Sequence, residues 1–153
     1  MLFLLFVSGI LPSCQDTRFR VENAFFINTP NPKATDTTLH QFYQTEHVYL
    51  IYDVRGMSRE DDSIWVTEDL SIRGPDTKEI QNRKDILEVK KEIPTAAYVL
   101  RVYNKIGIGP MPAPGKYEVT LTVKDRFSGK EIKEELQFTI LKGAPPTQIP
   151  RSK

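Results

Sequence analysis

Carboxylates, imidazoles and a single thiol are the side chains of this sequence that could do chemistry, and their spacing limits what each could do. Glu60, Asp61 and Asp62 stand side by side between two apolar stretches. Three adjacent carboxylates supply too few oxygens for a hard cation that takes six or more, and the run lacks the alternate spacing and turn glycine of a calcium loop. It reads as a solvated hairpin tip. His40 and His47 are the two histidines, and neither forms the His-x-x-x-His or His-Glu pair that a helix would turn into a metal site. No Gly-x-Ser-x-Gly turn presents a hydrolase nucleophile, and Gly107-Ile108-Gly109-Pro110 reads as a turn rather than a phosphate cradle. The expectation is a chain with no catalytic residue, no metal and no cofactor, hence not an enzyme.

The thiol is Cys14. Residues 1 to 11, MLFLLFVSGIL, form an apolar run without a charged side chain, too short to span a bilayer and of the length of an export-signal core. Leu11-Pro12-Ser13-Cys14 resembles the bacterial lipobox, in which an aliphatic residue stands three before an acylated Cys. That resemblance implies a signal peptide over 1–13, lipidation at Cys14, a tether over 14–16, and an exported protein anchored to the cell envelope by acyl chains rather than by a spanning helix.

Charge and length bound the rest. With 153 residues the chain allows one domain. The 21 Lys+Arg and 20 Asp+Glu leave a formal net charge of +1, and no stretch clusters its cations. On that balance nucleic acid is excluded as a partner.

From residue 17 onward apolar residues recur with period two, which predicts strands. The clearest is Tyr117 to Lys124, where Tyr117, Val119, Leu121 and Val123 share one face and Glu118, Thr120, Thr122 and Lys124 the other. A turn around Gly129 leads to a strand carrying Ile132, Leu136, Phe138 and Ile140, and the two form a hairpin. Val48, Leu50, Tyr52 and Val54 share a phase, as do Ile64, Val66, Leu70 and Ile72. Segments 18–28, 79–89 and 97–104 complete about seven antiparallel strands, separated by Pro/Gly/Thr-rich connectors at 29–38 and 106–115. The Pro-rich tail over 142–153 has little to bury and is expected to be disordered.

Seven short strands with turn signals between them predict an all-β, single two-sheet sandwich over 17–141. Pro114-Gly115-Lys116-Tyr117-Glu118-Val119 resembles the tyrosine corner of immunoglobulin-like and fibronectin-type domains, where a Tyr opens the penultimate strand two residues before an inward position; Val119 holds that position here. The longer stretch PGKYEVTLTVKDRFSGKEIKEELQFTI, beginning at Pro114, is similar to the terminal hairpin of immunoglobulin-like domains in exported bacterial proteins. The resemblance implies an Ig-like β-sandwich with Tyr117 as a structural anchor whose hydroxyl bonds nearby backbone.

One contact surface is readable. Tyr49 and Ile51 lie on the phase opposite the core face of their strand, and Trp65 does the same on the next. Facing outward together they would form a partner-binding or sugar-binding patch; reached through a bulge, Trp65 would be core instead. Export, sandwich and the missing catalytic residues together lead to the expectation of a non-enzymatic envelope lipoprotein domain that binds or positions another protein. Its alternative is a carbohydrate-binding module, with a small enzyme third.

Overall fold

The computed structural model describes residues 18–30, 38–94 and 98–146. Cys14, the export signal over 1–13 and the tether over 14–16 lie outside the described residues, as do most of the 29–38 connector and the end of the tail. The described chain is all-β, with eight strands: β1 (Arg20–Ile27), β2 (Gln41–Tyr43), β3 (Tyr49–Arg55), β4 (Ser63–Arg73), β5 (Glu79–Glu92), β6 (Leu100–Lys105), β7 (Gly115–Asp125) and β8 (Glu131–Leu141).

They form two sheets. One has three strands in the order β1-β3-β6; the other has five in the order β2-β8-β7-β4-β5. Alternation explains why: Tyr117, Val119, Leu121 and Val123 of β7 are buried while Glu118 between them is exposed, so one face of each sheet must be covered. A single apolar cluster does this, joining Leu50, Val54, Val102 and Phe26 of the three-stranded sheet to Ile64, Val66, Leu121 and Phe138 of the five-stranded one. Phe138 is its aromatic hub, stacked on Tyr117 at 5.2 Å and edge-on to Phe26 and Phe42.

Two features depart from seven antiparallel strands. β2 is an additional strand in the segment between the two histidines, and it runs parallel to β8, with Phe42 opposite Ile140. Three residues are too few for a period to show, yet Phe42 is fully buried. The other departure is bulging. The register slips in β1 between Glu22 and Phe25, where Asn23 has φ +52°, and in the β4–β5 pairing, where Asp85 has φ +48°. The second slip lets both Ile86 and Leu87 pack on the core although they are adjacent in sequence.

Candidate functional site

Cross-strand partners share a sheet face, so the register of β1, β3 and β6 assembles the outer side of the three-stranded sheet residue by residue. Lys105 lies opposite Tyr49, Tyr103 opposite Ile51, and Arg101 opposite Asp53, which in turn faces Glu22; Arg55 faces Arg20. On β6, an edge strand, Arg101, Tyr103 and Lys105 are all exposed, while Leu100 and Val102 on the other face are buried. Tyr103 stands out with 51% of its surface free, an aromatic ring between two cations.

The carboxylates of this face are engaged by its arginines. Arg101 grips Asp53 with Nε at 2.7 Å from Oδ1 and Nη2 at 2.8 Å from Oδ2, and Asn23 donates to Oδ2 at 3.0 Å from the β1 bulge. The fork from Arg101 outweighs burial and holds the Asp53 carboxyl below the usual range. Arg20 and Arg55 flank Glu22 at 2.5 and 2.6 Å, and the Arg20 bond leads in lowering its pKa. Lys105 makes no ion pair among the described residues. Four cations (Arg20, Arg55, Arg101, Lys105) thus share this face with two carboxylates (Glu22, Asp53), both already neutralised.

The outer face of the five-stranded sheet is different. Lys124 pairs with Asp69 at 2.5 Å, Arg126 with Asp85 at 2.6 Å and Lys133 with Glu135 at 2.8 Å, while Lys90 lies over the Trp65 ring. The near-zero net charge of the chain is therefore an average over two unlike faces.

Trp65 belongs to that second face. Its indole Nε1 donates to Glu88 at 2.8 Å, Lys90 sits 4.7 Å over the ring, and Phe127 meets it edge-on at 6.0 Å. The structure therefore does not bring Trp65 together with Tyr49 and Ile51, because β3 and β4 sit in different sheets. Ile51 contributes no surface: at the centre of three strands, between Phe25 and Tyr103, it is 1% exposed. Tyr49 is half-buried, with His47 edge-on at 6.3 Å. Tyr117 is buried and its Oη donates to the Ala113 carbonyl at 2.8 Å, four residues upstream. Asp61 and Asp62 form a left-handed turn tip, and Asp62 is paired with Arg59 at 2.6 Å. Among the described residues no group of three or more His, Cys, Asp or Glu side chains could hold a metal.

A buried polar group escaped the sequence reading. Glu68 of β4 is fully buried; Tyr52 Oη of β3 donates to its Oε2 at 2.6 Å and Asn104 Nδ2 of β6 to its Oε1 at 2.6 Å. Burial pushes the Glu68 carboxyl above its usual range despite these two donors, and burial beside it raises the Tyr52 phenol. The signal was present: position 68 is in phase with Ile64, Val66, Leu70 and Ile72, and 104 with Leu100 and Val102.

No family model matches the chain, and no curated protein sequence matches it. Solved structures do; one is the Pseudomonas fluorescens alkylpurine DNA glycosylase AlkC bound to DNA containing an abasic site analog, at TM-score 0.47 and 12% identity, covering 80% of this chain and 30% of that one. Against a neighbour that holds DNA, two expectations from the sequence are withdrawn: the exclusion of nucleic acid and the role of positioning another protein in the envelope. The first had rested on net charge, which does not describe how charge is distributed over a surface. A likeness of this degree transfers no activity, and what this chain binds is argued from its own surface.

Proposed function

We propose that this chain is a non-catalytic, immunoglobulin-like binding domain whose three-stranded sheet takes a single strand of nucleic acid on its outer face. One observation carries the reading: Tyr103 is half exposed on an edge strand, between the outward-facing cations Arg101 and Lys105. Single strands are held by cations that track phosphates and aromatic rings on which unpaired bases stack. A protein partner would call for a drier, less charged centre.

The immunoglobulin-like assignment is supported by the sheet orders β1-β3-β6 and β2-β8-β7-β4-β5 and by the bond from Tyr117 to Ala113. Binding without chemistry is supported by the occupation of the buried carboxylates. Asp53 is held by Arg101 and Asn23, Glu68 by Tyr52 and Asn104, and Asp125 by the amides of Ser58, Phe127 and Ser128.

Fluorescence anisotropy of a labelled single-stranded oligonucleotide tests the reading. Tyr103→Ala is expected to cost about 1–3 kcal/mol of binding, the worth of one stacked base. Lys105→Gln should flatten the salt dependence by roughly 0.7 in log K per log salt, the share of one phosphate. Lys133→Gln on the opposite face should leave both unchanged. Absence of binding at low salt, or binding indifferent to Tyr103, refutes it.

A further inference from the structure

The five-stranded sheet keeps open backbone on both of its sides among the described residues. β8 pairs with β7 along its length, but β2 covers its other side only at Thr139, Ile140 and Leu141, which leaves residues 131–138 as a free edge. At the far side of the sheet β5 pairs with β4 alone, so its outer edge is free as well. Each edge is guarded by a charge that points inward, and the two charges have opposite signs. On β8 the inward positions are Ile132, Glu134 and Leu136, opposite Val123, Leu121 and Val119 of β7; all three are half-buried, whereas their β7 neighbours are buried. On β5 they are Val89 and Lys91, opposite Val66 and Ile64 of β4, with the buried Ile93 just past the strand end.

Glu134 makes no ion pair among the described residues, and Lys91 meets only the face and the hydroxyl of Tyr98. An inward charge turns away a strand that would bury it unpaired, and admits one that brings the opposite charge to the same position. Aligning the two edges antiparallel with Lys91 opposite Glu134 matches the neighbouring positions too. Inward, Val89 meets Leu136 and Ile93 meets Ile132; outward, Lys90 meets Glu135 and Glu92 meets Lys133. In the single chain Lys133 and Glu135 pair with each other and Lys90 lies over Trp65, exposed contacts that the alignment exchanges for cross-strand pairs. Sliding by two residues, which keeps the faces, ruins the match: one direction sets Lys90 against Lys133 and Glu88 against Glu135, the other Glu92 against Glu135 and Lys91 against Leu136.

The fold permits this alignment. Ile86 falls opposite Thr139, the first residue that β2 covers, and β5 bulges at Asp85, with φ +48°, so the straight part of the strand stops where β2 begins. β5, β4, β7 and β8 alternate in direction, so a β5 antiparallel to β8 belongs to a copy in the same orientation, shifted sideways, with the same face inward.

We propose that the chain associates with itself head to tail, the β5 edge of one copy adding antiparallel to the β8 edge of the next, with Lys91 opposite Glu134. The contact is heterologous: every added copy presents a fresh edge of each kind, and the twist of the sheet makes the product an open helical array rather than a closed dimer. It does not rest on the nucleic-acid reading, since the Tyr103 face belongs to the other sheet.

Sedimentation velocity of the full chain from roughly 10 µM to 1 mM, the range of a small transient interface, tests it. The expected result is a series of species that grows past the dimer with concentration and shrinks with added salt. Glu134→Lys and Lys91→Glu should each weaken association about tenfold, the swing from an opposite-charge to a like-charge pair. The two variants mixed together, and the chain carrying both substitutions, should assemble as wild type does, because opposite charges then meet again at the contact. Rescue by mixing is a readout that a misfolded variant would not give. A monomer throughout the range overturns the proposal, as does failure of both rescues. Association that stops at the dimer and ignores Lys91→Glu also overturns it, and marks two β8 edges paired with each other.

Discussion

Stability should turn with pH on Glu68. Its carboxyl is fully buried and its pKa lies above the ordinary carboxylate range, so the folded chain keeps a proton that the unfolded chain has released. In the window from the ordinary carboxylate pKa up to the raised folded value, the native state binds more protons than the unfolded state, and the free energy of unfolding falls as pH rises. One group changes it by at most about 1.4 kcal/mol per pH unit. Other carboxylates pull the opposite way at lower pH: Asp53 and Asp125 are held below their usual range, and their contribution is lost as pH falls through their folded values. The Glu68→Gln variant isolates the term. Its amide oxygen keeps the Asn104 bond and its N–H can donate to Tyr52 Oη, so volume and pairing survive and only the titration goes. Urea unfolding between about pH 4 and 8 should show wild type losing ground to Glu68→Gln as pH rises. At the alkaline end Tyr52→Phe removes a bond of 2.6 Å to a buried carboxylate, a loss of about 1.5–3 kcal/mol, or roughly 5–12 °C in Tm. That loss should shrink when combined with Glu68→Gln, because the two share one interaction. Parallel pH curves for wild type and Glu68→Gln, with additive effects of the two substitutions, would refute the reasoning.

Three further substitutions probe the frame. Tyr117→Phe deletes the bond to Ala113 and should lower stability by about 1 kcal/mol, read as a fall of roughly 4 °C in calorimetry. Gly115→Ala should cost more, about 1–3 kcal/mol, since Gly115 has φ +138° and a Cβ there would meet the Pro75 Cβ at 2.6 Å; a melting temperature within a degree of wild type would contradict it. Arg101→Ala should cost about 2 kcal/mol at neutral pH, a figure reduced because the guanidinium is half exposed while Asp53 is buried. That penalty should fade as pH drops through the Asp53 range, because protonated Asp53 no longer needs the partner.

The parts of the fold that alternation could carry were legible. The Tyr117–Lys124 period and the Gly129 turn become β7, β8 and their connection, with Gly129 at φ +70°. Irregular phases had a physical source: the adjacent apolar pair Ile86-Leu87 marks the bulge at Asp85, and the broken pattern of 18–28 marks the bulge at Asn23. β2 was invisible because three residues define no period. Its partner lies nearly a hundred positions away in the chain, as the Gly143 amide bound to Gln44 Oε1 shows with |i−j| of 99. Of the contact surface, the sequence placed Tyr49 on the outward phase, but only register could show that Tyr103 and Lys105 join it and that Trp65 does not. Charge segregation is likewise a property of strand order, which no local window contains.

The place of β8 between β2 and β7 has a consequence for how the molecule is made. A ribosome delivers β8 last of the described strands, so until residue 141 has left the exit tunnel β7 and β2 both present open edges and the five-stranded sheet is split in two. Neither the parallel pair nor the aromatic stack on Phe138 can form before then. A nascent chain stalled within β8 should therefore be sticky and protease-sensitive along most of its length, and release of that last strand should act as the step that commits the domain.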